Sequence, residues 1–217
     1  MIGAVMFDLD GTLVHSSPGI IASFRKTFEA EGVAAIAPID ESVIGPPLLA
    51  TLTRLSGIVD GDRLNDIART FKATYDVEGV LRADPYPGMG EVLTQLAEMQ
   101  CQSFIVTNKR LAPARMIAER LGMMDRVAGV YALDSFTPPA AKKRVVVASL
   151  LAEHGIAAAA ALMVGDSGED ADAAAANGVR FVAAMYGYGS PLSFTEAAPT
   201  GTLMRLTDLP ALIAGLH

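Results

Sequence analysis

Short apolar runs recur along the chain at residues 2–7, 103–106, 129–132, 160–164 and 179–183. Each stops abruptly in a polar or glycine-containing turn. Runs this short and this continuously apolar predict strands of a parallel sheet buried on both faces. Between them, residues 89–99, 111–121, 143–154 and 169–176 carry helical patterns. Strands alternating with amphipathic helices predict an α/β fold, a Rossmann-like doubly wound parallel sheet. In such sheets chemistry gathers beyond the carboxyl ends of the strands.

One stretch breaks the alternation. Residues 16–83 contain no convincing strand, and 18–31, 47–55 and 62–75 all read as helices. Pro18 follows Ser17, and proline is tolerated in a first helical turn. Because this block follows the first strand directly, it reads as an inserted helical cap. The expected division is a core of residues 1–15 and 84–217 with a cap of 16–83; one continuous mixed domain is the competing layout. A length of 217 residues suits a core domain with an insertion.

Composition narrows the picture. Hydrophobic residues make up 51% of the chain, and mean hydropathy is +0.36. Alanine and valine supply much of this, which fits tightly packed elements rather than a membrane span. The longest uncharged apolar run, 156–164, is too short to cross a bilayer. The start of the chain lacks a basic segment and meets Asp8 early, unlike a signal peptide. A single cysteine, Cys101, cannot form an internal disulfide, so the expected location is cytoplasmic. Cys101 itself reads as a small core residue. One cysteine and three histidines leave no material for a thiolate or histidine-rich zinc site. The net charge of −7 argues against a nucleic acid polymer as partner. It leaves a small phosphorylated molecule open, since one metal ion or lysine overrides the global field locally.

The first strand ends in "DLDGTLV", residues 8–14. Asp8 and Asp10 lie on one side of an extended chain or are splayed by a local turn. Neighbouring carboxylates repel and raise one another's pKa unless a cation intervenes. Mg²⁺, a hard ion, prefers such oxygens. Gly11 permits unusual backbone, and Thr12 adds a hydroxyl. The same residues would also serve a solvated turn. The fourth of the predicted strands ends in "GDSGED", with Asp166 just after it and Asp170 four residues on. These acids equally suit the start of a helix. The strand at 103–106 ends in Thr107 and Asn108, where a hydroxyl and backbone N–H groups could hold a phosphoryl oxygen, or simply cap a helix.

Taken together the chain resembles the haloacid dehalogenase-like hydrolase superfamily. "DLDGTLV" resembles its first motif, "IVTN" at 105–108 its second, and "VGDSGEDADAAAANG" at 164–178 its fourth, in the expected order. "VIGPPLLATL" at 43–52, "YPGMGEVLTQL" at 86–96 and "YGYGS" at 186–190 are similar to its phosphoglycolate phosphatase-like and 5′-nucleotidase-like branch. The resemblance implies a Rossmann-like core with a helical cap between the first and second motifs. It implies an Mg²⁺-dependent phosphomonoester hydrolase acting on a small phosphorylated metabolite. Asp8 would be the nucleophile, Asp10 the acid and base, and Thr107 with a lysine the anchors of the phosphoryl group. Gly11, Thr12 and Asn108 would line the phosphate site. Mg²⁺ would be held by Asp8, the carbonyl of Asp10 and Asp166, with Asp170 in support. The second acid, Asp10, favours phosphatase over dehalogenase chemistry.

The lysine is unresolved by the resemblance. Lys142 and Lys143 both begin a helical pattern, and Gly155, twelve residues after Lys143, favours the latter. "DSFTPPAA" at 134–141 departs from the common pattern and keeps Lys142 in play. His15 stands where the branch usually has aspartate; it reads as a hydrogen-bonded linker residue or as a substrate contact. Lys109 and Arg110 read chiefly as surface charge, with a phosphate or carboxylate contact as the alternative. Gly45 and Pro46 mark a loop that either reads the leaving group or connects helices. The rival functions are a 5′-nucleotidase-type phosphatase, a phosphomutase or dehalogenase on the same fold, and a non-enzymatic receiver-like module. The expected assembly is a monomer or homodimer, with no membrane partner.

Overall fold

The computed structural model describes residues 1–190, 194 and 198–216. The chain divides into two compact units, one of Met1–His15 with Pro85–His217 and one of Ser16–Asp84. In the first unit β1 (Ala4–Phe7) is the centre of a six-stranded sheet. Two short strands, β2 (Val14–His15) and β3 (Asp84–Pro85), mark the two crossings of the chain between the units. On the core side the Tyr86 N–H donates to the Leu13 carbonyl at 3.0 Å.

The remaining strands are β4 (Gln102–Thr107), β5 (Gly129–Ala132), β6 (Ala161–Gly165), β7 (Arg180–Ala184) and β8 (Gly201–Leu203). Their order is β5-β4-β1-β6-β7-β8, with every pairing parallel. The chain therefore builds outward from β1 on one side, then returns to build on the other. β1 is the point where the order reverses, and the crevice above its carboxyl end is the expected place for a ligand. Phe7 lies opposite both Ile105 and Val164, so the next residues of β1, β4 and β6 emerge side by side.

Both faces of the sheet are covered, which is why its strands read as unbroken apolar runs rather than alternating ones. On one face Met6, Phe104, Val106, Met163, Phe181 and Ala183 pack with Val146, Val147 and Leu150 of α6 (Lys143–His154). Ala171, Ala173 and Ala174 of α7 (Gly168–Ala176) join the same cluster. Val5, Phe7, Ile105, Leu162 and Val164 alternate with them, point to the other face and are fully buried. There α4 (Met89–Glu98), with Leu93 and Leu96 buried, packs on β4, and α5 (Leu111–Arg120) packs on β5. Cys101, just before β4, is buried, and burial pushes its thiol up to about 11, as suits a packing residue.

The pattern did not predict β8 or the closing helix α8 (Leu209–Gly215). β8 is three residues long and lies at the sheet edge, so it carries too little periodicity to read.

The second unit contains α1 (Ser17–Ala30), α2 (Leu48–Ser56) and α3 (Gly61–Thr74), followed by a π-helical turn at Tyr75–Gly79. Phe24, Phe71 and Tyr75 form its aromatic core, with ring centroids 4.4 Å and 5.6 Å apart. A Cβ on Gly19 would stand 2.2 Å from the Gly79 carbonyl oxygen, so α1 and the π-turn meet backbone to backbone. Among the described residues no helix is long and apolar enough to cross a membrane.

Candidate active site

Asp8 follows β1 directly, and its N–H continues the ladder to the Val164 carbonyl at 2.9 Å. Asp166 follows β6, and Asp170 lies in the first turn of α7. Carboxylate oxygens of Asp8, Asp166 and Asp170 lie within 4.8 Å of one another, and all three residues are buried. Lys143, the first residue of α6, extends into this group. Its Nζ donates to Asp8 Oδ1 at 2.7 Å and to Asp170 Oδ1 at 2.6 Å. Lys142, one residue earlier, is exposed and takes the N-cap position of α6. Consecutive residues at a helix start point in different directions, so only one of the two lysines enters the cluster. That one is Lys143.

Asp170 is held by more than the lysine. Ser167 closes a capping box, donating to Asp170 Oδ2 from its hydroxyl at 2.6 Å and from its N–H at 3.1 Å. Gly165 is required beneath it, because a Cβ there would meet Asp170 Cγ at 2.3 Å. Asp166 is held by the loop after β7. The N–H groups of Tyr188 and Gly189 donate to its Oδ2 at 2.7 and 3.2 Å. Any side chain on Gly189 would strike the Asp166 carbonyl oxygen, with a Cβ 1.5 Å away.

Two of the three buried carboxylates, Asp8 and Asp170, share one ammonium. Burial pushes the Asp8 carboxyl well above the usual range; Lys143 opposes this, while Asp170 and Asp166 reinforce it. Burial likewise raises Asp166, to about 6, with the Asp170 charge adding and the Tyr188 and Gly189 N–H groups opposing. For Lys143, burial works against the charged form, but Asp170 and Asp8 override it and hold the ammonium above the ordinary lysine range. The cluster has more negative charge than its lysine offsets. An all-oxygen donor set with that surplus fits a hard divalent cation.

Thr107 ends β4 with its hydroxyl buried, and Oγ1 accepts the Lys109 N–H at 3.1 Å. This is a local turn, and the hydroxyl proton remains for donation elsewhere. The Asn108 amide donates to the Glu169 carboxylate, tying the β4 turn to the start of α7. The Asp10 carboxylate is outside the three-acid group; its Oδ2 pairs with Lys109 Nζ at 3.1 Å. Lys109 is therefore not the solvated surface charge that the sequence suggested, since its side chain is only 7% exposed. Thr12 lies in the turn between β1 and β2. It is fully buried, its carbonyl accepts the Tyr186 hydroxyl at 2.9 Å, and its own Oγ1 has no hydrogen-bond partner among the described residues. Gly11 has φ +86°, and a Cβ there would stand 2.2 Å from Asp166 Oδ2, so this glycine serves the approach of the third acid.

His15 makes a hydrogen-bond contact, with Nδ1 3.1 Å from the Tyr188 hydroxyl, and its ring meets those of Tyr86 and Tyr188. Gly45 and Pro46 belong to the Ser16–Asp84 unit, where both are exposed between a 3-10 turn (Glu41–Val43) and α2. The sequence reading missed Ser167, Lys109 as a partner of Asp10, and the N–H groups of Tyr188 and Gly189. Ser167 was legible as the start of a Ser-x-x-Asp box. Backbone donors leave no such mark.

The sequence profile of the haloacid dehalogenase-like hydrolases matches residues 5–184. The chain belongs to this family. A haloacid dehalogenase-like hydrolase from Streptococcus pneumoniae has the same fold, with a TM-score of 0.87 at 26% identity, covering 98% of each chain. A phosphoglycolate phosphatase from Rhodospirillum rubrum is 35% identical, over 96% of this chain and 88% of that protein. The tyrosine-protein kinase PtkA of Mycobacterium tuberculosis is 32% identical, over 85% of this chain and 62% of that longer protein. Asp8, Asp10, Thr107, Lys143, Asp166 and Asp170 thus all lie within the matched residues, with Tyr188 and Gly189 just beyond them.

Proposed function

We propose that this protein is a divalent-cation-dependent phosphomonoester hydrolase whose substrate is a small anionic metabolite of the phosphoglycolate kind. The observation that carries the reading is the Lys143 ammonium bridging Asp8 and Asp170 inside a buried acidic cluster. The similarity to the R. rubrum phosphoglycolate phosphatase, which extends over most of both chains, supports the substrate class.

In this reading Asp8 attacks phosphorus and the P–O bond to the leaving group breaks, giving an aspartyl phosphate. Asp10 gives its proton to the departing alkoxide, then takes one from the water that hydrolyses the intermediate. Lys143 and the Thr107 hydroxyl hold the phosphoryl oxygens and stabilise charge spread over them. Asp8, Asp166 and Asp170, with the carbonyl of Asp10, are the residues that would hold Mg²⁺. When bound, such an ion offsets repulsion between an anionic nucleophile and an anionic substrate. Ser167 and the Tyr188–Gly189 N–H groups keep Asp170 and Asp166 in place for it. Selectivity for the leaving group is assigned to the helical unit acting as a cap, with Gly45 and Pro46 as its candidate reading loop.

The test is inorganic phosphate release from a panel of phosphorylated metabolites, with and without Mg²⁺, by the wild type and by Asp8→Asn. The wild type should release phosphate only with the cation, and the substitution should lower kcat by ~10⁴-fold or more, as for loss of other enzymic nucleophiles. Turnover that survives Asp8→Asn undiminished would overturn the nucleophile. Phosphoryl transfer from ATP to protein tyrosine without hydrolysis of any metabolite would favour a kinase instead.

A further inference from the structure

Two lysines pair with three of the four acids of this site. Lys143 serves Asp8 and Asp170, while Lys109 serves Asp10 at 3.1 Å. The second pair is well withdrawn from water, with side chains only 7% and 11% exposed. Exposed ion pairs of long side chains hold little geometry, because solvent competes and side-chain entropy opposes them. A covered pair resists both. Each end also starts from anchored backbone. Lys109 donates its N–H to Thr107 Oγ1, and its neighbour Asn108 is tied to Glu169. Asp10 is bridged to Val14, and the following Gly11 N–H donates to the Val14 carbonyl at 2.9 Å. The contact is therefore set by the β1 and β4 turns and not by a wandering surface chain.

We propose that Lys109 is a positioning residue that holds the Asp10 carboxylate in place for proton transfer to the leaving group and from water. The proposal rests on the phosphatase reading, in which Asp10 is the acid and base. A short side chain with two free rotations loses much of its efficiency when its carboxyl group is misdirected by about an ångström. Lys109 acts through Asp10, so its contribution falls on turnover. The phosphoryl anchors Lys143 and Thr107 do not depend on it, so substrate binding is spared.

The experiment is a double-mutant cycle of Lys109→Met, Asp10→Asn and the pair, with Lys109→Arg alongside. Steady-state kinetics at saturating Mg²⁺ should show Lys109→Met lowering kcat by roughly 10- to 100-fold, within the range of one acid–base group. KM should stay within about threefold by the logic that ground-state contacts are untouched. Lys109→Arg should recover most of kcat, and Lys109→Met should cost nothing further once Asp10 is Asn. A raised KM at unchanged kcat overturns the proposal, because Lys109 would then contact substrate directly. So does an equal loss from Lys109→Met with and without the Asp10 carboxylate. Melting temperatures of the wild type, the two single variants Lys109→Met and Asp10→Asn, and the pair supply a readout without turnover. Coupled shifts are expected from the pair; additive shifts in an active enzyme overturn the role of Lys109. Coupled shifts with no phosphatase activity in the wild type overturn the phosphatase reading, and this role with it.

Discussion

In the helical unit, Glu31 takes the Arg63 guanidinium at 2.5 Å and the Thr70 hydroxyl on one carboxylate, one negative charge against one positive. Above β1 and β6, Asp8 and Asp170 pair with the ammonium of Lys143, and Asp166 lies beside them. The chemistry of the two clusters is the same, but their balance differs. The Thr70 hydroxyl and then Arg63 hold the Glu31 carboxyl below its usual range. Burial and mutual repulsion hold Asp8 and Asp166 above theirs. The first cluster is complete and fastens α1 to α3. The second is short of positive charge, and that shortage is what a divalent cation would relieve.

The sharpest break in this comparison is Lys143→Met. Removing the shared ammonium leaves the buried Asp8 and Asp170 without their counter-charge, which costs about 3 kcal/mol or more in the metal-free protein. Phosphate release should fall at least ~10²-fold even at high Mg²⁺, because in the proposed reaction the phosphoryl group loses a fixed cation. Arg63→Met, its counterpart in the balanced cluster, should lower the melting temperature by less and leave kcat unchanged. Thermal melts and kinetics on the two variants check this directly.

Next in size is Gly189→Ala. A methyl there collides with the Asp166 carbonyl and must displace the loop whose N–H groups hold the Asp166 carboxylate. Mg²⁺ affinity, followed by calorimetry, should weaken by about 10- to 100-fold, the usual cost of losing an outer partner of a ligand.

The smallest effect is in the pH dependence of stability, where the two clusters should slope in opposite directions. Folded Asp166 keeps its proton up to about 6, whereas the unfolded chain releases it near the usual 3.8. The native state binds more protons across that interval, so without metal this group makes the protein less stable as pH rises through it. Asp166→Asn should flatten that decline in melts with chelator present. Glu31 is the reverse case: its stabilisation is full above its usual value and is lost as pH falls through its lowered folded value. Glu31→Gln should flatten only the acid side.

Much of this is legible in the sequence. The strands that carry Asp8, Thr107 and Asp166 are short apolar runs cut off by polar residues, and burial on both faces is what makes such runs visible. The helix bearing Lys143 was legible from its pattern and from Gly155, which ends it with φ +63°. The edge strand β8 was not, for want of length. Lys109 was misread because a lysine in a turn is solvated unless something distant covers it.

By itself, then, the sequence determined five of the six strands of the main sheet, the helices α1–α7, the acids that close β1 and β6, and the family to which they belong. These follow from local periodicity and from motifs a few residues long. Only the tertiary structure decided that Lys143 and not Lys142 meets Asp8, that Lys109 reaches Asp10, that Thr12 is buried, and that backbone N–H groups of Tyr188 and Gly189 hold Asp166. Each of these depends on which direction a side chain leaves its element, or on a backbone donor brought in from far along the chain. Neither has a signature in residue type or spacing, because both are set by how the packed sheet aligns its turns.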